Sequence, residues 1–244
     1  MLLTVKGISK SFGGIRALSN FSVHVSEGEV LGVIGPNGSG KSTAINIISR
    51  LIAPDSGAIS FNGDNLLSVK AIKAVQIGIA RTFQTSVLSS ALNVYENVAV
   101  GCYAVRRRDN AAIGEILQMV ELTAKQTAYP TALSYFERRK VEFARALAAQ
   151  PKLLLLDEPT AGFSQSERNW FEQLLEKVQK QGTATVIIEH DLAFIYRVAD
   201  RIVVLDAGNK IAEGIPKDIA NNKKVTEIYL GIAANNAANS KFIN

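Results

Sequence analysis

Apolar and polar residues alternate through the first 30 positions, as in Leu3-Thr4-Val5-Lys6 and Phe21-Ser22-Val23-His24-Val25. This period of two predicts half-buried antiparallel strands. The pattern then becomes continuous: Val30-Leu31-Gly32-Val33-Ile34 predicts a strand buried on both faces, and Ala44–Ile48 a helix beyond it. Pro54-Asp55-Ser56-Gly57 predicts a turn into a strand over Ala58–Phe61, closed by a second turn at Asn62-Gly63. A short helix over 70–77 and a strand around Ile77–Thr82 follow. From about Val87 to Gln150 the spacing is helical instead, over Val94–Tyr103, Ala111–Leu122 and Glu137–Ala149. Beyond Pro151, wholly apolar runs at Leu153–Leu156 and Ala184–Ile188 flank a helical pattern over Glu167–Gln181. Asp191–Val198 predicts a further helix, Arg201–Leu205 a strand, and Asp206-Ala207-Gly208-Asn209 a hairpin turn. Strands alternating with helices imply a parallel sheet covered on both faces. The chain is thus an α/β core interrupted by a helical block, and Ala233–Asn244, rich in Asn and Ala, predicts a loose tail.

Length and composition change this picture little. A chain of 244 residues suits one large domain or two closely packed lobes. With 47% apolar and 20% charged residues, the class is that of a soluble globular protein. A net charge of +5, from 27 basic and 22 acidic side chains, is too small to argue for nucleic acid as a partner. Arg106-Arg107-Arg108 fits a solvated surface, with an anionic lipid surface or a protein partner as alternatives. Cys102 is the only cysteine, so no intrachain disulfide forms and a reducing compartment fits best. Met1–Lys10 lacks the apolar core of a secretory signal, and no window approaches the ~18 apolar residues of a membrane span. Work at a membrane is expected from its surface.

The candidate chemistry begins at Gly35-Pro36-Asn37-Gly38-Ser39-Gly40-Lys41-Ser42-Thr43, set between the apolar strand and the helix. Glycines at 35, 38 and 40 let successive backbone N–H groups turn inward, so that an anion meets oriented donors and a helix N-terminus. Lys41 can reach the β- and γ-phosphates of a nucleoside triphosphate, and the Ser42 hydroxyl can ligate Mg²⁺. A metal-organising carboxylate is then required. Leu153–Leu156 ends in Asp157, suited to orienting Mg²⁺, and Glu158, placed to polarise an attacking water. Val186-Ile187-Ile188-Glu189-His190-Asp191 repeats the design. His190 can hydrogen-bond a γ-phosphate or the water, a metal ligand or a packed structural histidine being the alternatives. His24, with no second cluster, is expected to be structural. Gln84, at the junction with the helical block, could ligate Mg²⁺ or water through its neutral amide.

Taken in order, these residues resemble the ATP-binding subunit of an ATP-binding-cassette (ABC) transporter over about residues 2–231. Phe12, in Ser11-Phe12-Gly13-Gly14, matches the aromatic that stacks on adenine; 35–43 matches the phosphate loop and Gln84 the glutamine loop. Asp157 and Glu158 match the second phosphate motif with its catalytic glutamate, and His190 the switch histidine. The resemblance implies an α/β fold: a P-loop NTPase core with an N-terminal antiparallel β subdomain and an inserted helical subdomain. The core would span 2–86 and 151–231, the helical lobe 87–150, and a flexible tail 232–244. It implies ATP and Mg²⁺ as cofactors and ATP hydrolysis powering transport. The implied place is peripheral, on the cytoplasmic face of the inner membrane, bound to two permease subunits and only indirectly to a periplasmic solute-binding protein. Motion would pass to the permease through about 85–98, where Val87-Leu88 and Tyr95 suit a docking cleft or core packing. Arg81-Thr82-Phe83-Gln84, Ile188-Glu189-His190-Asp191 and Ile228-Tyr229-Leu230-Gly231 resemble subunits serving branched-chain and other hydrophobic amino-acid importers. A soluble cassette ATPase acting on nucleic acid or the ribosome, and an ATP-binding regulator with little turnover, are the rival readings.

One motif departs from the family. The signature that opens the main lobe helix is usually Leu-Ser-Gly-Gly-Gln, and here it is Leu133-Ser134-Tyr135-Phe136-Glu137. In the family two cassettes face head to tail, and each ATP lies between one chain's phosphate loop and the other's signature, where Ser134 would contact the partner's nucleotide. Phe136 replaces the glycine whose N–H approaches that γ-phosphate, which costs close approach unless the ring turns away. Ser164 also stands where aspartate is common. The expectation is therefore a heterodimer with a second cassette, a homodimer being the alternative, in which this chain's own site is complete and its signature is impaired.

Overall fold

The computed structural model describes residues 1–82, 88–106 and 110–229. Strands β1 (Leu3–Phe12) and β2 (Ile15–Val25) form an antiparallel hairpin, and β3 (Val30–Ile34) runs into helix α1 (Lys41–Ile48). After β4 (Ser56–Phe61) and the short β5 (Asp64–Asn65) come α2 (Ala71–Gln76) and β6 (Ile79–Arg81). Among the described residues three α-helices follow without a strand: α3 (Val94–Ala104), α4 (Asn110–Met119) and α5 (Tyr135–Ala148). The chain then alternates β7 (Leu153–Asp157), α6 (Gln165–Lys180), β8 (Ala184–Ile188) and α7 (Leu192–Val198), followed by the hairpin β9 (Arg201–Asp206)–β10 (Asn209–Gly214), α8 (Pro216–Ala220) and a helical stretch over 223–229.

Two sheets result. One is antiparallel, in the order β2-β1-β4-β5; the other has the order β10-β9-β3-β8-β7-β6. In the second, β9, β3, β8, β7 and β6 are parallel and only β10 pairs antiparallel, at an edge. The continuous apolar runs follow from this layering. Val30 and Ile34 of β3, and Leu154 and Leu156 of β7, face a core shared with the helices. Leu31, Val33, Leu153 and Leu155 face a second core shared with the antiparallel sheet and α1. Both faces are buried, so neither face selects polar residues.

Element boundaries depart from the sequence expectation at the caps. α5 and α6 begin two residues earlier than their apolar pattern, because Ser134 and Ser164 are N-caps. Each accepts the N–H of the glutamate three residues on, Glu137 or Glu167, whose carboxylate accepts the serine N–H in return. α4 stops at Met119 rather than Leu122, since Glu121 turns left-handed (φ 59°) and the Leu122 N–H reaches back to the Leu117 carbonyl. The strand expected at Ile77–Thr82 is confined to Ile79–Arg81, because Ile77 caps α2 and Gly78 turns at φ 108°. Among the described residues no helix is long and apolar enough to cross a membrane.

Candidate functional site

The C-terminal ends of β3, β7 and β8 lie side by side, since β3 pairs with β8 and β8 with β7. The 35–43 loop leaves the first of these. Gly35 sits at φ 149°, where an added Cβ would lie 2.0 Å from the Leu205 carbonyl oxygen; at Gly40, the N-cap of α1, it would lie 2.3 Å from the Ala17 carbonyl. Only glycine lets β9 and β2 press this closely on the loop. The Lys41 ammonium donates to the carbonyls of Gly35 (2.8 Å) and Pro36 (2.7 Å), which holds it inside the bowl. Burial pushes its pKa down, against the charges of Glu158 and Asp157. Around the loop lies a cleft of about 460 Å³, lined by Asn37–Thr43, Ala17, Glu158 and His190.

Beneath it lies the buried Asp157, whose carboxyl is influenced by the Ser42 hydroxyl. Burial raises its pKa and the Glu158 charge adds to the rise, while Arg81, Ser42 and Lys41 pull it back. Arg81, on β6, lies 3.3 Å from the Asp157 carboxylate and also donates to Asn46 of α1. Glu158 leaves β7 in a left-handed conformation (φ 48°), its N–H bonded to the Ile188 carbonyl at 2.9 Å. That turn aims its carboxylate across the sheet end to the His190 Nε2, at 2.8 Å. Between them, the buried Glu189 accepts from the Thr160 N–H (2.8 Å), the Thr160 hydroxyl (2.7 Å) and the His190 N–H (3.2 Å).

The structure thus brings Lys41, Ser42, Asp157, Glu158 and His190 together. Their chemistry fits a nucleoside triphosphate with Mg²⁺: a glycine cradle, a cation, and the paired oxygens of Ser42 and Asp157. Among the described residues no group of three or more His, Cys, Asp or Glu could hold a metal ion. Phe12, 48% exposed near the β1–β2 turn, and Ser134 at the start of α5 lie outside the lining of this cleft. Leu88 and Tyr95 pack half-buried against the core. Gln84 and Val87 lie outside the described residues, as do Arg107, Arg108, Leu230, Gly231 and the tail.

Phe136 does not stand over the signature turn. Its ring packs inward, edge-on to Phe163 and Trp170 at centroid distances of 5.0 and 5.1 Å. The helix start keeps the first-turn N–H groups of Tyr135 and Phe136, which have no intrahelical acceptor. Glu189 and Arg81, quoted in the sequence only as letters of the importer motifs, are the residues whose part in the site's geometry the sequence did not show. The available signal was a charge closing an otherwise apolar strand, in 186–189 and in 79–81.

Residues 18–161 match the ABC transporter family model. The high-affinity branched-chain amino acid transport ATP-binding protein LivG of Salmonella typhimurium is 32% identical over 95% of this chain and 98% of its own. The sulfate/thiosulfate import ATP-binding protein CysA of Bacillus cereus is 34% identical over 94% of this chain and 66% of its own. Among solved structures, the ADP conformation of MJ1267, an ATP-binding cassette of an ABC transporter, superposes with a TM-score of 0.85 at 30% identity, covering 94% of this chain and 98% of that one. The dimeric post-hydrolysis state of the cassette MJ0796, bound to ADP and Pi, gives 0.80 at 29% identity, covering 88% and 99%. The α/β fold with its parallel-rich and antiparallel sheets is that of these cassettes, and the chain belongs to the ABC transporter ATPases.

Proposed function

We propose that this chain is the ATP-hydrolysing subunit of an importer for branched-chain or other hydrophobic amino acids. The observation that carries the hydrolytic part is the Glu158–His190 contact of 2.8 Å at the mouth of the Lys41 and Ser42 cradle. Backbone N–H groups of 38–43 and the Lys41 ammonium hold the β- and γ-phosphates, and Phe12 stacks on the base. Ser42, Asp157 and Gln84 would hold Mg²⁺, which when bound would offset phosphate charge. Glu158 orients the attacking water and draws its proton, while His190 Nε2 fixes the Glu158 carboxylate and faces the γ-phosphate. Arg81 keeps Asp157 in place despite its burial.

The substrate class rests on the near full-length similarity to LivG and on the 81–84, 188–191 and 228–231 motifs. CysA, a sulfate/thiosulfate importer subunit of comparable identity, marks the competing solute. One cassette over 2–231, with 87–150 as its helical lobe, would sit on the cytoplasmic face of the inner membrane. It would bind two permeases and pair head to tail with a second cassette; the similar cassette MJ0796 is itself dimeric. The inward ring of Phe136 removes the steric argument for a blocked signature, so a homodimer fits the structure as well as the expected heterodimer does.

The test uses the transporter with its permeases and binding protein in vesicles. MgATP inside should drive uptake of labelled leucine but not of sulfate, and Glu158→Gln should cut turnover about 100-fold or more while nucleotide binding persists. Uptake of sulfate instead would overturn the solute. Full turnover in Glu158→Gln would overturn the site.

A further inference from the structure

The first turns of α5 hold the loop that leaves Glu158. The Tyr135 hydroxyl donates to the Ala161 carbonyl at 3.1 Å, and the buried Arg139 guanidinium to the Pro159 carbonyl at 3.4 Å. Phe136 grips Phe163, the last residue before the Ser164 cap of α6, and Trp170 one turn into that helix. Lys140 completes the contact. Its ammonium lies 4.9 Å from the Phe136 centroid and 4.3 Å from that of Trp170, steered by Glu121 at 2.8 Å. From the opposite side Glu189 holds Thr160. Every residue of 159–163 except Gly162 is therefore tied either to the signature helix or to the strand end that carries His190.

We propose that Phe136 is a positioning residue for ATP hydrolysis, tying the signature turn to the loop that sets Glu158. The family's usual glycine could not make these ring contacts. The tethers from the signature helix fall on Pro159, Ala161 and Phe163, within five residues of Glu158. The place of Glu158 over Lys41 and Ser42 thus depends on where the signature helix sits. The inference rests on Glu158 acting in hydrolysis and on two cassettes pairing head to tail. It adds that whatever loads one chain's signature is felt at that same chain's Glu158.

The steric view and this one predict opposite results for Phe136→Gly, which installs the family's residue. If the ring obstructs, turnover rises. If the ring positions, kcat of the reconstituted transporter falls about five-fold, the rate equivalent of one aromatic contact of about 1 kcal/mol. Affinity for a fluorescent ATP analogue should stay within about two-fold, because the cradle at 35–43 is untouched, and Phe136→Tyr should restore kcat. In a Phe163→Leu background the same substitution should cost less than about two-fold, since its effect runs through that ring. Unchanged or increased kcat in Phe136→Gly overturns the proposal, as does a loss of the same size in the Phe163→Leu background. Should Phe136→Gly fail to fold, Trp170→Leu removes one of the two ring partners and carries the same expectation of reduced kcat at unchanged nucleotide affinity. A Glu158→Gln control that keeps full turnover would indict the hydrolytic assignment instead, whatever Phe136→Gly does.

Discussion

Replacing Glu189 with alanine should cost both stability and turnover. The side chain is 4% exposed and accepts three hydrogen bonds, two from Thr160 and one from the His190 N–H. Alanine leaves those donors without an acceptor, at about 1–3 kcal/mol for each buried one. The loss is partly offset because a buried carboxylate leaves as well; burial raises its pKa even against three donors. A net fall of about 2–4 kcal/mol in unfolding free energy follows. Function suffers through geometry. Thr160 lies two residues past Glu158 and His190 is the next residue, so both members of the 2.8 Å pair lose their anchor; a shift of ~1 Å at such a site costs about 100-fold in rate. Urea unfolding should show a lower midpoint at unchanged slope, and ATPase assays a fall in kcat with nucleotide affinity nearly intact. Glu189→Gln keeps an acceptor for Thr160 and should be milder. It also isolates the pH dependence. With a folded pKa raised above the ordinary 4.5, Glu189 contributes most to stability below that value, and the contribution is lost as pH rises through the folded pKa. The stability of wild type relative to Glu189→Gln should therefore decline across the window above 4.5. Unchanged midpoint and kcat in Glu189→Ala would refute the argument.

Gly35→Ala should abolish nucleotide binding or soluble expression, because the new Cβ would lie 2.0 Å from the Leu205 backbone oxygen and 2.8 Å from Ser39 Oγ; wild-type affinity for a fluorescent ATP analogue would contradict this. Arg81→Met leaves Asp157 buried without its cation and should lower unfolding free energy by about 3 kcal/mol. It also removes a contribution that holds the Asp157 pKa down, so the acid limb of the ATPase pH profile should move to higher pH, and an unmoved limb would count against the Asp157 assignment.

What could be read from the sequence was what periodicity and local spacing carry. The runs at 30–34, 153–156 and 184–188 are legible because each strand buries both faces, and the 35–43 loop because its glycines, lysine and serine act within nine neighbouring residues. Helix starts were displaced because the capping serines are polar and fall outside an apolar pattern, although Ser134 and Ser164 each precede a glutamate at capping-box spacing. Arg81 and Glu189 stayed silent for another reason: their partners, Asp157 and Thr160, come from other strands and loops, and only the sheet order brings them into reach. Phe136 is the instructive case. A one-dimensional pattern gives the position of a side chain but not its direction, so a ring in a glycine's place counts as an obstacle wherever close backbone approach is required. Helical side chains lean back toward the helix N-terminus, and here that direction brings the Phe136 ring against Phe163 and Trp170. The same substitution that removes a glycine's freedom supplies an edge-on aromatic contact to the loop after Glu158. On the proposed reading, the departure from the family's signature falls on the coupling between the signature and the loop after Glu158, rather than on the approach of the phosphate.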